Sequence, residues 1–446
     1  MANQLSLSLY DDLVSSFDDI AIQGTKTEAV QKAREKGFQN FKKSGFPTRR
    51  NEEWKYTNIT PYLQEKYVIN NVASKKQTRE LIAKAQIPHL DAYQLVLLNG
   101  EIQASDQFAV PTFLKVLPIS DAQKDEAFGR YFSKSSNVED APFSALNTAF
   151  FTNGLFIEVA ANEAPDKPLH VIHVFTADDY NVFVQPRHLV VVRKGASLNL
   201  IESIVSQNST SKIFVNSLTE VFLEENSSCD HYVLQTAESG TRLVTATEVS
   251  QLRHSTYSNY TFSLPSADVI RNNLHLSLND RETETHLFGL YLGTGKQLID
   301  NHSLVNHKMP HCNSNEIYKG VLTENSVGVF NGKIYVQPDA QKTNAFQKNN
   351  NLLLGDKSSV NSKPQLEIFA DDVKCSHGST VGQLSKEAMF YLQSRGIGEQ
   401  KAKALLVTAF LFDVTEKIKI PRIEDFVNHL IAHHIPLDEI VIEDAE

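Results

Sequence analysis

Short runs of β-branched and aromatic residues, each followed by a polar corner, repeat through most of this 446-residue chain. Clear examples are residues 221–234, 274–287 and 321–330, where two strand-like runs flank Asn, Asp, Glu or Ser. The corners recur at intervals of roughly 25–30 residues, which is typical of solenoid repeats. No convincing amphipathic helix interrupts the pattern between about residues 92 and 370, which disfavours a doubly wound α/β fold. A sandwich, a large barrel and a β-solenoid all fit, and we favour the solenoid.

Helical periodicity appears only towards the two ends of the chain. Composition and apolar spacing predict helices over residues 26–43, 77–85, 399–417 and 423–434. Ser385 is suited to cap a further helix that stops at Gly396. The predicted organisation is an N-terminal helical region over 1–91, a β core over 92–378 and a C-terminal helical region over 379–446. We expect the acidic end from Asp438 to be frayed.

Composition and charge exclude several classes of protein. The chain carries 43 Lys and Arg against 53 Asp and Glu, a net charge of −10, which disfavours nucleic-acid binding and docking on anionic lipid. No apolar run approaches the roughly 18–20 residues of a membrane span, and the first residues lack the features of a secretory signal. The three cysteines, an odd and sparse set, indicate a reducing compartment, and we predict a cytoplasmic protein.

The sharpest local feature is the segment 371–378, where the strand pattern gives way to helices. If this segment is extended, Cys375 and His377 point to the same face, and both are ligands for iron or another borderline metal. We expect Lys374 to lower the pKa of the Cys375 thiol. Two ligands do not complete a cluster site, which takes about four, so a partner or another segment must supply the rest. From these residues alone the favoured interpretation is a buried cysteine beside a capping histidine.

A second group of metal-binding side chains lies within eleven residues of the sequence. His302, His307, His311 and Cys312 are close in sequence, but their spacing matches no zinc signature. Ordinary corner residues are the favoured interpretation. For Cys229, in a polar corner, we favour a packed small residue over a ligand.

The run 289–297 resembles a phosphate loop without fulfilling its requirements. Five residues rather than four separate Gly289 from Gly295, Gln297 replaces the Ser or Thr that would hold Mg²⁺, and no helix follows. We therefore expect no ATP hydrolysis by this chain. A polysaccharide-acting solenoid enzyme is a weaker alternative, in which Asp280 would act with Glu282 or Glu284. A structural adaptor without any metal role is a third possibility.

Near the N-terminus, residues 49–57 contain paired arginines and the single tryptophan, Trp54. They form either a recognition patch or an amphipathic edge that packs on the β core, and the second interpretation is favoured. This run resembles a signature of the SufB/SufD family of SUF iron–sulfur cluster assembly scaffold proteins. The segments 319–322, 328–334, 340–343 and 372–397 resemble later signatures of the same family, in the expected order. The sequence around Cys375 resembles the SufD branch of the family more than the SufB branch. A SufB-like paralogue is the main alternative.

The resemblance implies a right-handed parallel β-helix between helical ends. It also implies a non-catalytic scaffold subunit that acts with a SufB-like subunit and a SufC-like ABC ATPase in iron acquisition and cluster formation. His377 would be a ligand of the nascent cluster, Cys375 a less secure one, and the partner would complete the site. We expect no tightly bound cofactor on the isolated chain, only transient iron or cluster in the complex, and a possible homodimer when the chain is isolated.

The family's ATPase docks on the C-terminal helical region, and its two β-helix subunits pair near the cysteine signature. In this sequence the ATPase-binding region corresponds to about residues 385–417. The residues predicted to form the ATPase interface are Phe390, Tyr391, Leu392, Arg395, Leu405, Leu406 and Phe410.

Overall fold

The computed structural model of the chain describes residues 8–69, 78–103 and 108–435. Its body is a tube made of two mainly parallel sheets, between which most successive strands alternate. Ile213 pairs with Thr241, 28 residues later, and Leu298 pairs with Val327, 29 residues later. The chain therefore adds about one strand to each sheet per coil and forms a parallel β-solenoid of about eight turns. The prediction of a mainly β fold, with a parallel β-helix between helical ends, is confirmed.

Sheet A contains β1 (Val68–Ile69), β4 (Leu114–Pro118), β5 (Gly154–Val159), β7 (Val182–Val184), β8 (Arg187–Val192), β10 (Ile213–Leu223), β12 (Thr241–Gln251), β14 (Val269–Leu278), β16 (Leu298–His307), β18 (Val327–Val336), β20 (Ser359–Ser362) and β21 (Gln365–Ile368). Sheet B contains β2 (Tyr93–Leu98), β3 (Glu101–Ile102), β6 (Leu169–Phe175), β9 (Ser197–Ser206), β11 (Ser228–Gln235), β13 (Thr256–Ser263), β15 (Glu284–Gly293), β17 (Asn313–Leu322), β19 (Asn344–Leu353) and β22 (Lys374–Gly382).

The helices are α1 (Ser8–Gly24), α2 (Glu28–Ser44), α3 (Thr60–Leu63), α4 (Thr78–Ala85), α5 (Ile119–Ala122), α6 (Glu126–Tyr131), α7 (Pro142–Phe150), α8 (Lys386–Ser394), α9 (Glu399–Thr415) and α10 (Pro421–His434). A 3₁₀ turn spans Glu52–Trp54. The predicted capping of α8 by Ser385 is confirmed, because its side chain accepts the backbone N–H of Ala388. The predicted frayed end, from Asp438, lies outside the described residues.

Inward-facing side chains of successive coils stack into rows along the tube. Val221, Val249, Leu276 and Val305 form one such row in sheet A, and all four are buried. A single coil cannot bury its own inward face or satisfy its outer backbone groups, so each coil depends on its neighbours. This dependence keeps residues of successive coils, 27 to 33 positions apart, in register along each sheet.

The helices α5–α7 lie within the stretch 92–378 that the sequence analysis assigned to the β core. Their short length and burial explain why no amphipathic period identified them. Every residue from Phe143 to Phe150 of α7 is buried, so polar and apolar faces do not alternate. The proposed domain boundaries remain predictions.

The segment around Trp54 is fixed to the outer face of sheet A by a buried ion pair. Arg271 Nη1 lies 2.5 Å from Asp300 Oδ2 and also donates to the carbonyl of Glu53 at 2.8 Å. The Arg271 guanidinium stacks 3.8 Å from the Trp54 ring centre, and Thr57 donates to Asp300. Although burial raises the pKa of Asp300, Arg271 and His302 hold it far below its ordinary value.

The loop between α6 and α7 is held by a second buried ion pair. Arg187 Nη2 lies 2.5 Å from Glu220 Oε2, and both side chains are fully buried. Glu220 also accepts the backbone N–H groups of Ser133, Ser135 and Ser136 at 2.9–3.1 Å. A sharp loop is thus fixed to sheet A by satisfying its otherwise buried donors.

The C-terminal helices α9 and α10 pack on the outer face of sheet B. Val407 and Leu411 of α9 join one buried cluster with Tyr232, Tyr260 and Phe288 of the sheet. Lys319 Nζ lies 2.5 Å from Asp413 Oδ2 and donates to the carbonyl of Phe410. These contacts connect the helical region to the β tube.

We predict that Asp300→Asn lowers the free energy of unfolding by roughly 3–5 kcal/mol, because it leaves Arg271 buried without its counter-charge. Urea denaturation followed by circular dichroism measures the loss, and Trp54 fluorescence reports the local contact. The control is Asp372→Asn, which removes the exposed Lys342–Asp372 pair and should have a much smaller effect. Equal losses in the two variants would contradict the role of the buried pair.

A second prediction concerns acid stability. Burial lowers the pKa of His307 to about 3, so the folded chain keeps this histidine neutral while the unfolded chain protonates it near its ordinary value. The stability contributed by His307 is complete above about pH 6.5 and is lost as the pH falls toward the folded value, by up to about 1.4 kcal/mol per pH unit. Urea denaturation between neutral pH and about pH 4.5 should show a shallower loss for His307→Gln, and parallel curves would refute the assignment.

Candidate functional site

The last strand of sheet B, β22, carries the Cys375 and His377 motif. Along one edge β22 pairs in parallel with β19, and no other described strand of sheet B pairs with it. Its other edge is therefore free, and most of its side chains are exposed because no further coil covers them. Small and polar residues at Ser376, Gly378, Ser379 and Gly382 are compatible with this exposure. The motif lies at the open end of the tube.

Cys375 faces the inside of the tube and is half-buried. It is the register partner of the buried Ala345 and packs against an apolar cluster that includes Ile334 and Ala370. Burial raises the pKa of the Cys375 thiol, partly offset by a hydrogen bond with the Ala345 backbone. The expectation that Lys374 lowers this pKa was wrong, since adjacent residues of a strand point to opposite faces.

His377 lies two residues after Cys375 and belongs to the same inward face. It is the register partner of Gln347, yet it is exposed because it stands at the open end of the tube. The nearby Asp372 is paired with Lys342. No group of three or more metal-binding side chains lies within the described ranges, so this strand offers two donors and not a complete site. Their role as ligands remains a prediction.

The second group of candidate ligands does not form a site. His302 points outward and contacts Glu53 and Asp300 at 3.1 and 2.9 Å. His307 is buried with Nε2 2.9 Å from Ser314 Oγ. His311 occupies a turn with φ 62°, and the buried Cys312 donates to the carbonyl of Asp280 at 3.3 Å. The side chains serve separate structural contacts and form no metal site. The interpretation as corner residues holds for His311, but it was wrong for His302 and His307, which are buried within β16.

The N-terminal signature 49–57 packs on the β tube, which agrees with the favoured interpretation. Besides the contacts of Trp54 and Thr57, Glu53 accepts the amide of Asn331 at 2.9 Å, and Glu52 pairs with Lys363 at 2.6 Å. The segment thereby fastens the N-terminal helices to the last coils of sheet A.

The phosphate-loop-like run lies in β15 and the turn that follows it. A side chain at Gly289 would meet the Tyr318 ring at 2.1 Å, so this glycine serves close packing rather than phosphate binding. The carboxylates of the enzyme alternative are engaged elsewhere, since Glu282 contacts Arg253 and His254 while Glu284 accepts from Asn313.

The predicted ATPase interface forms a largely exposed surface on α8 and α9. Phe390 is 73% exposed, Tyr391 58% and Leu405 43%, and α8 has no buried residue. Leu392, Leu406 and Phe410 are half-buried, and Arg395 is exposed beside the Tyr391 ring. Aromatic side chains so exposed are characteristic of a protein-binding surface.

Two buried polar residues near His377 were missed by the sequence analysis. Glu316 on β17 and Gln347 on β19 belong to the same inward row of sheet B as His377 on β22, and each is the register partner of the next. The sequence offered only their spacing as a signal: 31 residues separate Glu316 from Gln347, and 30 separate Gln347 from His377. These spacings match the coil length, but they predict a contact only once the register of the strands is known.

The comparisons with known proteins agree with this architecture. The family model described as SUF system FeS cluster assembly, SufBD core domain, matches residues 174–410, and the SufBD protein N-terminal region matches residues 6–171. The chain is 30% identical to an iron–sulfur cluster assembly SufBD family protein of Synechocystis, over 93% of this chain and 95% of the relative. It is 29% identical to the iron–sulfur cluster assembly protein SufD of Escherichia coli, over 90% and 92%. It is also 26% identical to the chloroplastic protein ABCI7 of Arabidopsis thaliana, over 95% and 88%.

Both family models lie in the expected order, and together they cover the helical N-terminal region, the β tube and most of α9. No described helix is long and apolar enough to cross a membrane. The chain belongs to the SufBD family of SUF iron–sulfur cluster assembly proteins.

Proposed function

We propose that this scaffold subunit contributes His377, with Cys375, to a cluster-assembly site that a SufB-like partner completes. The observation that supports the proposal is the position of both side chains on the last, uncovered coil of the tube. A free parallel edge presents unpaired backbone groups and two inward-facing donors to a second β-helix. The incomplete ligand set on this chain then has a structural reason.

The exposed surface of α8 and α9 is the proposed docking site for a SufC-like ABC ATPase, which would supply the nucleotide chemistry. The buried face of α9 is fixed to sheet B through Val407, Leu411 and the Lys319–Asp413 ion pair. A displacement of the helices by the ATPase would therefore act directly on the strands β15 and β17. This coupling would open the shared site to iron.

Iron and the growing cluster are the cargo of the complex, and we expect the isolated chain to hold no tightly bound cofactor. The free cysteines Cys229, Cys312 and Cys375 suit a reducing compartment, and we propose the cytoplasm. The free edge of β22 would also allow a homodimer when the partner is missing.

We predict that His377→Ala leaves the three-subunit complex assembled but lowers its iron affinity by at least about tenfold, because a ligand is lost. Anaerobic reconstitution with both partners, iron assay and visible absorbance measure the effect. Cys375→Ser tests the second donor in the same assay. The matched control is His311→Ala, an exposed turn histidine, and unchanged cluster formation by His377→Ala would sink the assignment.

The ATPase surface yields a separate prediction. Phe390→Ala combined with Tyr391→Ala should weaken ATPase binding by roughly 30-fold or more, as expected for two exposed aromatic anchors. Isothermal titration calorimetry measures the affinity, and the circular dichroism spectrum should not change because neither side chain is buried. Phe346→Ala, an exposed aromatic on the outer face of sheet B, is the control. Equal ATPase affinity of the double variant and the control would show that the docking site lies elsewhere.

A further inference from the structure

An inward-facing row of sheet B leads from the interior of the tube to its open end. Glu316 on β17 pairs in register with Gln347 on β19, which pairs in register with His377 on β22. Neighbouring strands lie about 4.8 Å apart, and register partners point the same way. The three side chains are therefore consecutive members of one stack.

Glu316 is a buried carboxyl group without a basic partner. Its side chain is 2% exposed, and no ion pair to it occurs in the described part of the chain. Ser303 Oγ donates to Oε1 at 2.5 Å, and Gln347 Nε2 donates to Oε2 at 2.7 Å. Burial raises the pKa of Glu316 to about 7, which the two hydrogen bonds partly oppose. A buried titratable group of this kind is costly to keep unless it has a role.

The amide nitrogen of Gln347 donates a hydrogen bond to Glu316, but its amide oxygen is unpaired within the described residues. The Gln347 side chain is 1% exposed, and its Oε1 has no hydrogen-bond partner among the described residues. An unsatisfied buried acceptor in a well-packed interior requires an explanation. The space for the amide is provided across the tube by Gly332, where an added Cβ would lie 2.2 Å from Gln347 Nε2. The amide is therefore held in place with a free acceptor.

His377 is the next member of the row, and its exposed ring can change rotamer rapidly. A histidine that binds metal through one ring nitrogen commonly donates its other N–H to a fixed acceptor, which sets the tautomer and the ring direction. Within the described ranges the His377 ring forms no such hydrogen bond. Gln347 Oε1 is the buried, unpartnered acceptor adjacent to the ring.

We propose that Gln347 Oε1 accepts the imidazole N–H of His377 and that Glu316 holds the Gln347 amide in the orientation this requires. Gln347 and Glu316 are then positioning residues for a metal ligand. The inference rests on the proposed ligand role of His377, but the hydrogen bond itself can be tested without metal.

The metal-free test uses the full-length chain with ¹⁵N-labelled histidine. The ¹⁵N shifts of the His377 ring, assigned with His377→Ala, report which nitrogen carries the proton. Gln347→Met, which preserves length but removes both polar atoms, should change the tautomer ratio. Gln235→Met removes a buried glutamine of another inward row, five strands from β22, and should leave it unchanged. Identical His377 shifts in wild type and Gln347→Met would overturn the inference.

The metal test uses the complex reconstituted with both partners and Fe²⁺ alone. Gln347→Met should lower iron affinity by about 10- to 100-fold, the usual effect of losing a ligand's hydrogen-bond partner. It should add nothing in combination with His377→Ala. The exchange Glu316→Gln with Gln347→Glu keeps one amide and one carboxyl, still offers His377 an acceptor, and should bind iron about as tightly as the wild type. Because this exchange also preserves packing, the ¹⁵N shifts of His377, which a merely structural role would not move, distinguish the two explanations.

The outcomes distinguish the two proposals. If His377→Ala binds iron normally, the proposed ligand role fails, while the ¹⁵N shifts still decide whether the hydrogen bond exists. If His377→Ala loses iron but Gln347→Met does not, the ligand role stands and the positioning role fails. If Gln347→Met folds poorly, the exchange Glu316→Gln with Gln347→Glu, which preserves side-chain volume, serves as the test instead. Loss of iron binding by that double variant, if it is folded, would count against the inference.

Discussion

Parallel register between successive coils is the constraint on which the rest of this structure depends. Each coil satisfies its outer backbone groups and buries its inward side chains only through its neighbours. A residue's partners are consequently those about one coil away, as for Arg271 and Asp300, 29 residues apart. Among the described strands β22 has no successor in sheet B, so the same rule that stabilises the tube leaves β22 uncovered, and Cys375 and His377 lie on that strand.

The segments that precede most of the tube and the helices that follow it are fastened to the sheets in different ways. Buried ion pairs centred on Asp300 and Glu220 fasten the N-terminal segment and the α6–α7 loop to sheet A. An apolar cluster fastens α9 and α10 to sheet B, where Lys319 reaches Asp413. Buried ion pairs require a fixed geometry, which suits a permanent attachment of these segments to sheet A. A helix that is apolar on its buried face and carries exposed aromatic side chains on the other suits a region that binds a partner.

The tube interior is not uniformly apolar. Glu202 lies between His173 and His231 at 3.4 and 3.2 Å, in the middle of the solenoid. Although burial raises the pKa of Glu202, these histidines hold it well below its ordinary value. Glu316 has no such partner, and burial dominates its pKa. The pKa values of these two buried glutamates are thus shifted in opposite directions by their different neighbours.

The sequence by itself determined a mainly β middle with solenoid-like repeats, the helical ends, the segment 371–378 as a distinct motif and the lack of a working phosphate loop, whereas the parallel β-helix was implied by the family resemblance. These follow from local composition and spacing, since side-chain alternation and capping depend on neighbours within a few residues. Only the tertiary structure decided that Trp54 stacks on Arg271, that His302 and Cys312 serve different faces, and that Lys374 points away from the Cys375 thiol. It also placed Gln347 and Glu316 in one row with His377. Those relations depend on coil-to-coil register, and a shift of one residue would turn every inward side chain outward.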